Sequence, residues 1–215
     1  MKPFLPKYRG RFSPTKDPGL TEDLSNTSFV VLDTETTGFD PISDRILSIG
    51  ALKLQQGRIR VQDSLELYLY QDRFDRRSVP IHGILREDDH ERIPEKAALE
   101  QLHTYLKDSI LVGHHIRFDL EMLRQAHLRH GMPALENPYL DTGILFRHTL
   151  LKSPLVPKKE FYTLDELIEK YELSCKDRHT ALGDAYLTAM IFLHILSQLR
   201  SKNELSLQQL LKMGT

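Results

Sequence analysis

The run Phe29-Val30-Val31-Leu32 constrains this chain more than any other segment. Four consecutive apolar residues, two of them β-branched, have no polar alternation to offer water, so they predict a strand buried on both faces of a sheet. Charge follows at once. Asp33 ends the run, and Glu35, two residues on, points to the same side of an extended chain. Two like charges on one side repel and are costly to take out of water, and a bound cation offsets that cost. An acid capping the Thr36-Thr37-Gly38 turn accounts for one carboxylate but not for a same-side pair.

The pattern downstream fits a mixed sheet with helices packed against it. Residues 45–54 form a second strand candidate, and Gln56-Gly57 is a turn signal. Beyond it Ile59, Val61, Leu65, Leu67 and Leu69 alternate with polar neighbours and share one predicted face, which makes a hairpin. Pro94 precedes an amphipathic helix to residue 107, a short strand covers 109–113, and a helix spans 118–130. Tyr139-Leu140 reads as a short strand entering Asp141, which caps a helix to residue 150; residues 152–160, with Pro154 and Pro157, read as a loop. Thr163 and Glu166 have capping-box spacing for a helix through 171. A long helix over 181–199 follows, and residues 200–215 form a C-terminal tail with a small helix over 203–213.

Composition sets bounds on function. The 215 residues carry 29 Lys+Arg against 30 Asp+Glu, which excludes a uniformly basic coat that grips nucleic acid by phosphate neutralisation. Residues 1–27 read as a Pro-containing extension whose first 16 residues are basic and free of acid. That extension is either a solvated tail or an arm touching nucleic acid or a partner. Lys7, Arg9 and Arg11 interrupt any signal-peptide core, and no apolar run approaching a bilayer span is expected, so no membrane association is. A single thiol, Cys175, fits a reducing, cytoplasmic setting.

Two further acids stand where burial is expected. Asp119 is in register with Met122, Leu123 and Ala126, and Asp184 shares a row with Leu187, Ile191 and Ile195. Both lie near a helix start, where capping is the structural alternative; Asp184 follows Ala181 and Leu182, which already read as helical. Asp33, Glu35, Asp119 and Asp184 together make an all-oxygen donor set suited to Mg²⁺ or Mn²⁺ rather than Zn²⁺. His179 belongs to the loop before the last long helix and supplies a proton acceptor near neutral pH. A His-rich metallohydrolase built on His114, His115 and Asp119 is a competing arrangement, but it leaves Asp33, Glu35 and Asp184 with no reason to converge.

Three segments, Val30-Val31-Leu32-Asp33-Thr34-Glu35-Thr36-Thr37-Gly38, Gly113-His114-His115-Ile116-Arg117-Phe118-Asp119 and His179-Thr180-Ala181-Leu182-Gly183-Asp184-Ala185, resemble in order the motifs of the DnaQ-like (DEDDh) 3′-to-5′ exonucleases. Within that family the likeness is to the epsilon proofreading subunit of bacterial DNA polymerase III. Pro80-Ile81-His82-Gly83-Ile84 resembles the family's segment between its first two motifs. The resemblance implies a single-domain, ribonuclease H-like α/β fold over residues 28–199. It implies two divalent cations on Asp33, Glu35, Asp119 and Asp184, with His179 as general base. It implies release of 5′-nucleoside monophosphates from a 3′ end, single-stranded or frayed DNA, in proofreading or repair, with a DNA polymerase as a possible partner. Thr36, Thr37, Gly38, His82, Ile84, His115 and Phe118 take the substrate-contacting places. His115 stands where the family usually has Asn. An RNA-trimming exonuclease of the same family and a non-catalytic nucleic-acid- or polymerase-binding module are the alternatives.

Overall fold

The computed structural model describes residues 24, 26–72, 78–85, 89–150, 159–201 and 204–215. Most of the N-terminal extension and of the 152–160 loop therefore lies outside the described residues. Strands β1 (Ser28–Thr36), β2 (Ile46–Gln55) and β3 (Arg58–Tyr70) form an antiparallel meander. Gln56 and Gly57 both take positive φ, 51° and 69°, the pairing that suits a tight hairpin turn. Three short strands complete the sheet: β4 (Arg92–Pro94), β5 (Ile110–Gly113) and β6 (Tyr139–Asp141). The order is β4-β3-β2-β1-β5-β6, with β4, β5 and β6 each parallel to their neighbours.

Helices cover both faces, as the apolar run in β1 requires. Val30 and Leu32 pack into a cluster with Ala98, Leu99 and Leu102 of α2 (Glu95–Leu106) and Met122 and Leu123 of α3 (Arg117–Arg129). Phe29 and Val31 face the other way, towards α4 (Thr142–Thr149), α5 (Leu164–Lys170) and α6 (Ala181–Arg200). A short helix α1 (Val79–His82) precedes β4; neither element was anticipated from the sequence. The last helix, α7 (Leu207–Met213), opens on a Ser206–Gln209 capping box and puts Leu210 into the same core as α6.

Two expectations need correction. Ile59 does not share a face with Leu65, Leu67 and Leu69. Between the pairs Ala51↔Leu65 and Lys53↔Arg60, two steps along β2 oppose five along β3, and an odd difference reverses the side chains. Ile59 therefore packs on the α6 side, whereas the three leucines pack on the α2 side. Secondly, α6 is long and apolar enough to cross a bilayer, with a mean hydropathy of 1.3. Its apolar residues are instead spent on the core, where Leu187, Ile191, Phe192 and Ile195 are buried against the sheet.

Candidate active site

The carboxylates assemble where β1 runs out of apolar residues. Asp33 and Glu35 continue the parity of Phe29 and Val31, so both project on the α6 side of the sheet. Opposite Asp33 on β2 stands Gly50, where a Cβ would lie 2.2 Å from the backbone of Ala181 and Leu182. The missing side chain admits the first turn of α6 against the sheet. Thr180 caps that turn by accepting from the Gly183 amide, leaving Asp184 free of capping duty. Carboxylate oxygens of Asp33, Glu35 and Asp184 then lie within 4.8 Å of one another, the group of metal-ligating side chains found among the described residues.

Asp119 reaches the same strand from the opposite layer. It is buried on the first turn of α3, where its Oδ1 accepts from the Thr34 amide (2.9 Å) and the Thr34 hydroxyl (2.6 Å). It is thus anchored between the two β1 carboxylates in sequence rather than inside the 4.8 Å group. Asp141, as expected, caps α4, with Oδ1 accepting from Ile144 (3.1 Å). Its second oxygen accepts from the Ile116 amide (3.1 Å), so one carboxylate ties together the starts of α3 and α4.

Burial raises the carboxyls of Asp33, Glu35, Asp119 and Asp184. Desolvation, then the neighbouring Asp119, Asp184 and Glu35, holds Asp33 well above the usual carboxylate range. Glu35 is pushed up to about 7 by burial and by Asp184, and Asp119 to about 7 chiefly by burial. Asp184 is raised by burial and drawn back by Arg178, a residue whose role sequence reasoning missed. The Arg178 guanidinium meets Asp184 Oδ2 and, through Nε, Asp165 Oδ1 at 2.8 Å. Four acids, oxygen donors only, and a surplus of buried negative charge fit a hard divalent cation.

His179 lies in the loop before α6, as its spacing predicts. It takes positive φ (66°), donates its amide to Asp184 Oδ1 (3.3 Å), and leaves the side chain exposed. His115 is exposed, also at positive φ (56°), a conformation that Asn and His tolerate better than most residues. Its Nε2–H donates to the Tyr162 carbonyl (3.2 Å), and its ring lies 6.3 Å from that of Phe161. His114 turns instead to Thr142, whose hydroxyl is already donated to Gly113, and burial followed by repulsion from His115 pushes it down to about 4. Neither ring joins Asp119.

The remaining sequence candidates line up less uniformly. Thr36 donates to the Gly38 carbonyl (2.7 Å), shaping the turn after β1. Thr37 is buried, donates to Asp44 (2.9 Å) and accepts from the Arg45 amide; Gly38 leaves room for that Asp44 carboxylate. Phe118 is half-buried, 6.0 Å from the exposed ring of Phe39. His82 and Ile84 are buried: the Ile84 amide donates to His82 Nδ1, so Nε2–H donates to Ser78 and the ring organises its own loop.

A family model for exonucleases of the RNase T type matches residues 30–192. The chain belongs to this exonuclease family. All of the site residues just described, from Asp33 to Asp184, fall within the matched span of the exonuclease domain. A PolC-type DNA polymerase III of Thermotoga petrophila is 36% identical over 177 residues, 82% of this chain and 12% of that protein. A DNA polymerase III subunit epsilon-like protein of Rhodobacter capsulatus is 33% identical over 184 residues, 83% of this chain and 25% of that protein. The chain thus spans a quarter or less of the length of these relatives. In fold it is similar to E. coli exonuclease I in complex with a dT13 oligonucleotide, with a TM-score of 0.68, 21% identity and 82% of this chain covered against 42% of the other. It is also similar to exonuclease X in complex with 5′ overhanging duplex DNA, with a TM-score of 0.63, 19% identity and coverage of 86% and 98%.

Proposed function

We propose that this chain is a DEDDh-type 3′-to-5′ exonuclease that hydrolyses phosphodiester bonds at the 3′ end of DNA and releases 5′-nucleoside monophosphates. The observation that carries the reading is the convergence of Asp33, Glu35 and Asp184 within 4.8 Å, with the backbone amide of His179 donated to the same Asp184. Asp33, Glu35, Asp119 and Asp184 would hold two divalent cations, Mg²⁺ or Mn²⁺. Such ions, when bound, lower the pKa of water and neutralise charge building on a phosphate. The protein's own residues do the positioning. Thr34 fixes Asp119 to β1, the Thr180 cap fixes the α6 start that carries Asp184, and the left-handed turn at His179 keeps its imidazole accessible to accept the proton of the attacking water. The Thr36–Gly38 turn, His115 and Phe118 take the terminal nucleotide, its base against an aromatic face.

DNA as substrate is supported by the relatives, which are named for DNA polymerase III, and so is association with a polymerase. The test is release of labelled mononucleotide from 3′-labelled single-stranded DNA in Mn²⁺ or Mg²⁺, with RNA and mismatched duplex ends alongside. Release no greater than that of an Asp184→Ala control overturns the proposal.

A further inference from the structure

Arg178 stands between two carboxylates. Its guanidinium joins Asp184 on one side and Asp165, at the start of α5, on the other; its side chain is 17% exposed and that of Asp184 is 7%. The Asp184 oxygen it holds belongs to a carboxylate whose oxygens also meet those of Asp33 and Glu35. Arginine keeps its charge at every working pH, so it cannot leave this site by losing a proton. Only a competing cation or a movement of the side chain can free the oxygen. Asp165 is 68% exposed, which makes the outer anchor weak and the inner contact the dominant one. One guanidinium facing three carboxylates leaves a negative surplus for a divalent ion to take.

We propose that Arg178 is a built-in counter-cation of this site: it holds Asp184 in the metal-free protein, gives way to the divalent ion, and so sets the ion concentration at which the site fills. The inference rests on the metal-binding role proposed above for Asp184. Removing the guanidinium leaves Asp184 open and takes a repelling charge away from the incoming ion, so metal affinity rises.

Mn²⁺ binding to the 215-residue chain at pH 8, followed by loss of the free-ion electron paramagnetic resonance signal, measures this directly. Arg178→Gln is expected to lower the half-saturating Mn²⁺ concentration about tenfold, the weight of one charge-assisted hydrogen bond. Arg178→Lys, which keeps the charge but not the forked grip, is expected to fall between Arg178→Gln and wild type, and it carries the test if Arg178→Gln does not fold. Arg124→Gln, at a surface pair with Glu121, controls for net charge. Unchanged or weaker binding in folded Arg178→Gln, or an equal shift in Arg124→Gln, overturns the proposal. Asp184→Asn separates the two readings. If wild-type binding does not depend on Asp184, the metal site itself is wrong; if it does but ignores Arg178, only the counter-cation role falls.

Discussion

Asp119 shows what one buried carboxyl does to both stability and chemistry. Its carboxyl is raised to about 7, so in the metal-free protein it holds a proton that the unfolded chain has given up above about pH 4. The folded state therefore binds more protons across that interval, and this residue's contribution to stability is present at low pH and lost as pH rises through 7. Asp119→Asn, which keeps an oxygen for Thr34, is expected to be neutral below about pH 4 and increasingly stabilising above it, more so at pH 8 than at pH 5 by roughly 3 kcal/mol, or several degrees in Tm. Thermal unfolding in EDTA at the two pH values reads the difference; an equal effect at both removes the protonation argument. The same variant should lose nuclease activity. His179→Ala should slow turnover by a factor on the order of 10²–10⁴ while Mn²⁺ binding persists, and single-turnover kinetics beside a binding isotherm would separate those two properties.

At the scale of elements, the site depends on where helices begin. The start of α6 is pressed against β2 at Gly50, and any side chain there collides with backbone rather than with a flexible chain end. Gly50→Ala is expected to cost at least about 1–3 kcal/mol and to weaken Mn²⁺ binding, because Asp184 rides on the displaced turn. Urea unfolding together with the binding isotherm checks both. Asp141 closes two helices with one carboxylate, so Asp141→Ala should cost about 2 kcal/mol, two unmet amides, and Asp141→Asn roughly half of that. Equal losses in the two variants would mean that only one of these bonds matters.

The whole molecule carries a net charge of −1, and three of its acids, Asp33, Glu35 and Asp184, converge at one end of β1. Under the function proposed above, such a charge distribution favours a local grip on a strand. Binding of a short single-stranded oligonucleotide in Ca²⁺ should fall with salt at a log–log slope shallower than about −2, that is, about three phosphate contacts or fewer. Fluorescence anisotropy from low to moderate salt gives the slope, and a value steeper than about −4 would indicate a strand coated along its length. Much of this was legible in the sequence because it is periodic and local. The β1 run gave a strand buried on both faces, period two put Asp33 beside Glu35, and the helical period put Asp119 and Asp184 on buried stripes. Contacts between distant segments left no such trace. The parity change that turns Ile59 away from Leu65 depends on pairing between strands, and Asp119 finds Thr34 across 85 residues. Asp141 reaches back to Ile116, and Arg178 becomes part of the site only because α5 and α6 bring Asp165 and Asp184 to either side of it. Sequence alone determined which residue types face inward, since burial follows the repeat of the backbone; tertiary structure decided which of those charges meet, since that is fixed by the packing of whole elements.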